Sequence, residues 1–336
     1  MAKLNLSNIG PMNNSIINGD FNIWQRGTSF AAMASGTYTA DRWVYGNTGA
    51  MVHTITQDTD VPTFLESGLA SVYSLKVDCT TVDSALAAGD HTYVAQIIEG
   101  LNASQWIGKT VTLSFWVKAT KTGIYCVSLR NASTTESYVS EYTVYDSDTW
   151  EKKTVTIPMG STWLQTNADS CKVYFTLAAG STYNAATGSS WEAGVLLATS
   201  NQVNACDNTD NNFFLSQVKM EVGYVATPFT GRLYAEELAL CQRYYHTDTI
   251  NILATCYNPA YIRISPIFWK VTMRAVPTVA YSSVAWIPTA GGMGTIGAQY
   301  STGTTDQFAN PIWNTVTGTE GHCGQVTFTY TANAEL

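Results

Sequence analysis

The sequence predicts an all-β protein, in which a jelly-roll β-sandwich is followed by a short helix and a smaller C-terminal β domain. Two patterns support this prediction. Apolar and polar residues alternate with a period of two in many short runs rich in β-branched and aromatic residues, as a half-buried pleated surface favours. Gly, Asn, Ser and Asp interrupt these runs at short intervals, which is typical of the turns of a sandwich.

The clearest strand patterns in the jelly-roll region are 111–118, 153–157 and 172–177. Residues 100–106 favour a turn or a short helix. A longer helix is predicted over 234–245, because good helix formers follow one another there and acidic residues occupy the first turn.

Strand patterns resume after this helix. They lie at 262–265, 269–273, 278–281 and 325–330. Between them, residues 289–305 are rich in Gly and Thr and nearly uncharged, which predicts a long exposed loop.

These patterns divide the chain into three segments. Residues 1–15 are predicted to form an arm without a fold of its own, since Asn, Gly and Pro disfavour helix and sheet there. Residues 16–230 form the jelly roll, and 231–336 form the C-terminal β domain with its leading helix. The length of 336 residues fits two domains.

Charge and composition exclude several classes of protein. Only 12% of residues are charged and the formal net charge is −8, so the basic face of a nucleic-acid binder is missing. No apolar run reaches the roughly 18 residues of a membrane span, and the start lacks a secretory signal pattern. The 7 Cys form no CxxC pair and cannot all pair within one chain, so we expect buried free thiols.

Several longer motifs of this sequence resemble motifs of known protein families. NGDFNIWQRG (18–27) and TADRW (39–43) are similar to the opening of a group of bacteriophage virion proteins of the tail-fibre kind. KTVTLSFWVKA (109–119) and TWEKK (149–153) resemble strands of carbohydrate-binding-module jelly rolls. The most specific signature, also similar to such virion proteins, comprises QVKMEVG (217–223), ATPF (226–229), EL (237–238) and CQRYY (241–245). MRAVPTV (273–279) and FTYTANAEL (328–336) also resemble the C-terminal part of such proteins.

The resemblance implies a non-enzymatic, tail fibre-like structural protein of the virion, synthesised in the host cytoplasm. It further implies a homotrimer, an N-terminal arm that attaches to another virion protein, and binding of host surface polysaccharide through repeated weak sites. Two alternatives stay open. One is a head fibre or capsid-decorating protein with the same fold, and the other is a glycan depolymerase, which would need two positioned carboxylates. No catalytic motif is recognisable, so we expect no enzyme, and no cofactor is required.

Trp163 and Trp191 are candidate glycan-binding residues, because they lie beside Ser, Thr, Gly and Asn in segments that read as loops. An exposed indole can stack on the C–H face of a sugar ring, or it can anchor an interface. Trp24, Trp43 and Trp116 lie in apolar strand patterns instead, which predicts that they are core residues.

Tyr300 and Gln307 are further candidates for glycan binding. They lie in and just after the predicted loop, which would be distal if the N-terminus anchors the chain. A tyrosine ring and an amide suit a neutral glycan, and packing against neighbouring chains is the alternative role.

Asp20, Asn22 and Glu221 are candidate ligands of a structural calcium ion, because hard cations require several oxygen ligands and jelly-roll modules often hold one. The alternative is a turn in which Asp20 accepts hydrogen bonds from backbone N–H groups. Arg26 and Arg42 are predicted to form buried ion pairs with Asp20 and Asp41 that lock the architecture.

Overall fold

The computed structural model describes residues 14–258, 261–288, 296–315 and 323–336. Side chains are described in these ranges except at 255–258, 261, 263, 286–288, 296–302, 314–315 and 323. The chain forms two compact units, one of Met1–Glu237 together with Leu336 and one of Leu238–Glu335. The division falls within the predicted helix, whereas the sequence placed it between 230 and 231. Most of the predicted arm, 1–13, lies outside the described residues.

The first unit is a jelly-roll sandwich of two antiparallel sheets. In the described residues its first sheet has six strands. In spatial order they are β1 (Ser29–Ala31), β3 (Val52–Asp58), β4 (Ser74–Thr81), β12 (Asn212–Val222), β6 (Thr110–Ala119) and β9 (Glu151–Pro158).

The second sheet of this unit also has six strands in the described residues. In spatial order they are β11 (Trp191–Ala193), β8 (Glu136–Val144), β7 (Gly123–Asn131), β10 (Asp169–Ala179), β5 (His91–Glu99) and β2 (Trp43–Thr48). The strand patterns predicted at 111–118, 153–157 and 172–177 are therefore confirmed as β6, β9 and β10.

Aromatic side chains from both sheets meet in the core of the sandwich. Phe115 of the first sheet packs edge-to-face on Phe175 of the second, with ring centroids 4.9 Å apart, and Trp43 is fully buried beside Phe175. Trp43 is a core residue as predicted. Trp24 is half-buried and packs against this core, whereas the prediction was wrong for Trp116, which is half-buried outside it. Trp116 lies on the outward face of β6, because its neighbour Phe115 points inward.

Three α-helices are short interruptions of this β structure within the described residues. They are α1 (Phe64–Ser67), α2 (Gly100–Ala103) and α3 (Tyr234–Gln242). The sequence predicted α2 and α3, although α3 ends before Tyr245, which begins a strand. It did not predict α1, whose single turn is held by a capping box between Thr63 and Glu66.

The second unit is built on one antiparallel sheet. Along the sheet the described strands are β15 (Ile267–Phe268), β18 (Phe308–Thr315), β14 (Tyr261–Ile264), β13 (Tyr245–Asn258), β19 (Cys323–Asn333) and β16 (Thr278–Pro288), and β17 (Ile296–Thr304) also pairs with β18. Trp313 and Phe328 pack at 5.0 Å in its core.

Two sequence predictions for the second unit were wrong. The strand predicted over 269–273 is irregular, because the backbone N–H groups of Trp269 and Met273 donate to Gln307 and Asp306 instead of joining a ladder. The long loop predicted over 289–305 contains strand β17, whose partner is β18. The sequence over 289–305 is rich in Gly and Thr and lacks alternating apolar residues, so it does not show the period-two pattern of a strand. Residues 289–295 lie outside the described residues.

Five cysteines are free thiols and are buried, as predicted: Cys79, Cys126, Cys171, Cys206 and Cys241. The side chains of Cys256 and Cys323 lie outside the described residues. Across the part of the chain that the structure describes, none of the helices has the length and apolar character needed to cross a membrane.

Candidate functional site

The outward face of the second sheet is apolar where β5 crosses it. Val94 and Ile98 belong to the sandwich core. Because side chains alternate along a strand, Tyr93, Ala95 and Ile97 lie on the opposite, outward face. Strand β5 therefore carries apolar side chains on both faces, although only its inward face lies in the core of the sandwich.

Four rings on this face form what we call the aromatic row: Tyr183, His91, Tyr93 and Tyr174. His91 stacks nearly parallel on Tyr93 with centroids 5.6 Å apart, and Tyr183 meets the His91 ring edge-on at 4.5 Å. Tyr174 packs edge-to-face on Tyr93 at 4.7 Å. Burial lowers the pKa of His91, so its ring is uncharged at neutral pH. The row thus presents ring faces without charge.

Tyr93 lies across the neighbouring strand because that strand carries a glycine at the paired position. Gly46 of β2 is the direct partner of Tyr93 in the ladder. A β-carbon on Gly46 would fall 2.1 Å from Cζ of Tyr93, so the ring occupies the space that any other side chain would need. The tyrosine ring therefore lies over the sheet at this edge.

A concave groove with a volume of about 200 Å³ adjoins the aromatic row, and we call it the tyrosine groove. Its lining includes Tyr38, Val44, Tyr93, Ala95, Lys172 and Tyr174. The Tyr38 hydroxyl donates a hydrogen bond to the carbonyl of Leu336 at 2.9 Å. Burial raises the pKa of both Tyr93 and Tyr174, so their hydroxyls stay protonated at neutral pH and can donate hydrogen bonds. The groove combines ring faces with polar tips.

Lys172, which lines the tyrosine groove, has a second cation as its neighbour on the next strand. Lys172 of β10 is paired with Arg130 of β7, so their side chains share the outward face. Lys172 forms an ion pair with Asp169 at 3.0 Å. Arg130 lies beside the Tyr174 hydroxyl, and its Nε is buried without a hydrogen-bond partner.

Sequence reasoning missed this groove. The pattern around Tyr93 and Tyr174 favours strands, and a strand with apolar residues on both faces reads as fully buried. A signal was present in the pairing of a glycine on one strand with a tyrosine on the next. That pairing requires the register of β2 and β5, which no local pattern supplies.

The prediction that Trp163 is an exposed platform was wrong. Its side chain is 5% exposed, its indole N–H donates to the carbonyl of Gly160 at 2.8 Å, and it packs edge-on against Trp106. Trp191 is half-buried, packs against Trp163 at 5.7 Å, and donates to the carbonyl of Pro158 at 2.7 Å. Loop-like flanking sequence did not reveal this burial, because the two indoles cover each other.

The three candidate calcium ligands form hydrogen bonds or ion pairs with other groups of the protein. Glu221 pairs with Lys219 at 3.1 Å and accepts hydrogen bonds from the backbone and hydroxyl of Thr227. Asp20 accepts a hydrogen bond from the side-chain amide of Asn22 at 2.6 Å, which fits the alternative of a polar turn. Both oxygens of Glu221 and one oxygen of Asp20 therefore already have protein donors.

The pKa of Asp20 and the grouping of potential metal ligands also bear on the calcium hypothesis. Burial, and then the nearby Glu237 carboxylate, raises the pKa of Asp20 to about 6. Among the residues that the structure describes, no group of three or more His, Cys, Asp and Glu side chains could hold a metal ion.

The remaining glycan candidates lie in the second unit. The side chain of Tyr300 lies outside the described residues. Gln307 is exposed, and its backbone is fixed, since its N–H donates to the Thr305 hydroxyl and its carbonyl accepts from Trp269.

The predicted arginine–aspartate lock is confirmed for one pair. Arg26 lies 3.6 Å from the buried carboxylate of Asp41, and the amide of Gln25 also donates to that carboxylate. Arg42 is buried and donates to the backbone carbonyl of Ile97. These contacts tie the segment before β2 to β5 and help to hold the edge of the sheet that carries the tyrosine groove.

No protein-family model and no curated protein matches this chain. Solved structures that resemble it include the enzymatically active domain of tailspike protein 4 from bacteriophage CBA120, at 15% identity and a TM-score of 0.35 over 64% of this chain and 22% of that domain. The xylan-binding domain CBM22-2 from Paenibacillus barcinonensis is 15% identical, with a TM-score of 0.31 over 64% of this chain and 100% of its own. A cyclase from Fischerella sp. TAU is 9% identical, with a TM-score of 0.36 over 64% and 99%.

Proposed function

We propose that the jelly-roll unit binds a host surface glycan through the tyrosine groove, and that the chain is a non-enzymatic, tail fibre-like structural protein of a phage virion. The observation that carries the proposal is the aromatic row beside a concave surface on the outward face of the second sheet. Tyr174 is buried and Tyr93 is half-buried in a small apolar cluster with Leu197, and a concave surface lined by such rings and a few polar groups is typical of a ligand site.

The chemistry of the groove suits a sugar ring. A pyranose has an apolar C–H face and a rim of hydroxyls, so it needs a flat apolar surface edged by hydrogen-bonding groups. Tyr93 is half-buried and lies flat over Gly46, which supplies such a surface. The Tyr38 hydroxyl and the Lys172 ammonium stand at the edge of the groove and supply polar partners.

The groove is small, so a single copy would bind weakly. A homotrimer attached to the particle through its N-terminal arm would present three grooves, and binding at one would raise the effective concentration of glycan at the others. The resemblance of the motifs at 18–27 and 217–223 to virion proteins supports this arrangement.

The decisive measurement is binding of the wild-type protein and of Tyr93→Ala to an array of host surface polysaccharides. Loss of one stacked ring should weaken binding by about tenfold, which corresponds to about 1.4 kcal/mol. The matched control is Tyr224→Ala, since Tyr224 is 77% exposed and lies outside the groove. Equal binding by Tyr93→Ala and wild type would refute recognition by the groove.

The same incubation tests the non-enzymatic part of the proposal. Polysaccharide recovered after overnight incubation should keep its length distribution when analysed by size-exclusion chromatography. Accumulation of short oligosaccharides would identify the chain as a depolymerase and contradict the proposal.

A further inference from the structure

The cationic end of the tyrosine groove is unusual for this chain. The protein has only 17 Lys and Arg against 25 Asp and Glu. Lys172 and Arg130 are nevertheless direct partners across β10 and β7, on the same outward face. Like charges that lie directly opposite each other in a sheet are destabilising, so this placement costs stability unless something else offsets it.

The protein's own carboxylates offset only part of this charge. Lys172 pairs with Asp169 at 3.0 Å. Arg130 forms no ion pair with any carboxylate in the described part of the chain, and its Nε is buried without a partner. Among the side chains at this end of the groove, two cations and one carboxylate therefore leave one positive charge, and the main-chain oxygen of Leu336, which also lines the groove, accepts a hydrogen bond from Tyr38. His91 of the aromatic row adds no positive charge at neutral pH, because burial lowers its pKa.

The cationic pair lies next to the rings that would hold a sugar. Lys172 lines the groove together with Tyr93 and Tyr174. Arg130 is close enough to the Tyr174 hydroxyl to interact with it and to influence the titration of Tyr93. A sugar stacked on Tyr93 would thus place a substituent of its ring towards a guanidinium and an ammonium group.

We propose, on the basis of the function proposed above, that the groove selects an acidic sugar, a uronic acid or another carboxylate-bearing residue of the glycan. The planar guanidinium of Arg130 matches a carboxylate through two parallel hydrogen bonds, and Lys172 adds a second charge-assisted bond. The sugar carboxylate neutralises the cation that the protein leaves unpaired. The aromatic row provides affinity for the ring, and the cationic pair provides specificity for the acid.

The test uses a panel of bacterial surface polysaccharides that contain uronic acids, each measured before and after chemical reduction of its carboxyl groups to primary alcohols. Wild-type protein should bind at least one acidic polymer about tenfold more tightly than its reduced form, because a charge-assisted hydrogen bond is lost. Raising the salt concentration should weaken binding of the acidic form more than that of the reduced form.

Protein variants locate this selectivity. Arg130→Gln should lose about tenfold in affinity for the acidic polymer and less than about twofold for the reduced one. Lys152→Gln is the matched control, since Lys152 is an exposed cation on β9 of the other sheet, and it should bind like wild type. Thermal unfolding of Arg130→Gln verifies that the variant is folded. Lys172→Gln provides a second variant with the same expected loss.

The possible outcomes separate the two proposals. Equal binding of acidic and reduced polymers, with loss of both in Tyr93→Ala, would overturn the acidic specificity and leave glycan binding by the groove intact. Binding to no polymer in the panel would overturn glycan binding itself, and the acidic specificity with it. Loss of both polymer forms in a folded Arg130→Gln would show that Arg130 supports the groove without reading the charge, which also overturns the acidic specificity.

Discussion

The ring of Tyr93 lies over Gly46 on the neighbouring strand, in the space that a β-carbon on Gly46 would fill. This relationship determines the shape of the candidate site, because the ring would stand up from the sheet if β2 carried a side chain at that position. The shape of the groove therefore depends on a residue that has no side chain. Glycine weakens a strand interior, so its presence in β2 is itself informative.

Gly46→Ala should abolish the flat position of the Tyr93 ring while leaving the fold intact. The clash involves only the far end of a rotatable side chain, so the ring can swing away and the melting temperature should change by only a few degrees. Glycan binding should fall by about tenfold, as in Tyr93→Ala. The double variant should bind no more weakly than either single variant, since both remove the same interaction. Additive losses in this cycle would contradict the mechanism.

The sequence predicted the fold class and the sandwich strands β6, β9 and β10, because period-two alternation is a local property of residues such as those of 111–118 and 172–177. It did not predict the candidate site. The groove arises where Tyr93 of β5 lies beside Tyr174 and Lys172 of β10, and this meeting depends on strand order and register. These are non-local properties, so a single sequence carries only weak signals for them.

Trp163 illustrates the opposite error, because its flanking sequence suggested an exposed ring whereas its indole is buried against Trp106 and Trp191. Trp163→Ala should lower the free energy of unfolding by about 3 kcal/mol, since it empties a buried indole position. Trp191→Ala should cost about half of that, because its indole is only half-buried. Urea denaturation followed by circular dichroism measures both values. A loss below about 1 kcal/mol for Trp163→Ala would mean that its indole is not part of the core.

Calcium should have little effect on stability. Glu221 is neutralised by Lys219, and Asp20 accepts the amide of Asn22, so we expect the melting temperature to change by less than about 1 °C between excess EDTA and millimolar calcium chloride. Differential scanning calorimetry at constant ionic strength makes this comparison. A rise of several degrees with calcium that disappears in Asp20→Asn would restore the calcium hypothesis for this turn.

The second unit should lose stability as the pH falls from about 6.5 to about 4, because burial, and then the nearby Lys270, lowers the pKa of His246 to about 4. The Nδ1 atom of His246 lies 3.2 Å from the Tyr330 hydroxyl, and its Nε2 is buried without a partner, so a protonated ring would leave an N–H unsatisfied. In this pH window the unfolded chain binds the proton and the folded chain does not, so the free energy of unfolding decreases with falling pH, by up to about 3 kcal/mol in total.

Variants of His246 and its charged neighbours test this prediction. Asp248 raises the pKa of His246, whereas Lys270 lowers it as burial does. Lys270→Met should therefore reduce the loss of stability at low pH without removing it. His246→Phe keeps a ring between Trp269 and Tyr330 and removes the titration, so its stability relative to wild type should improve steadily as the pH is lowered. Urea unfolding curves at pH 7.5, 6 and 5 measure this difference, with hydrogen exchange of the backbone amides in β13 and β19 as the readout for the second unit. Parallel pH profiles for wild type and His246→Phe would show that His246 is not the group that titrates.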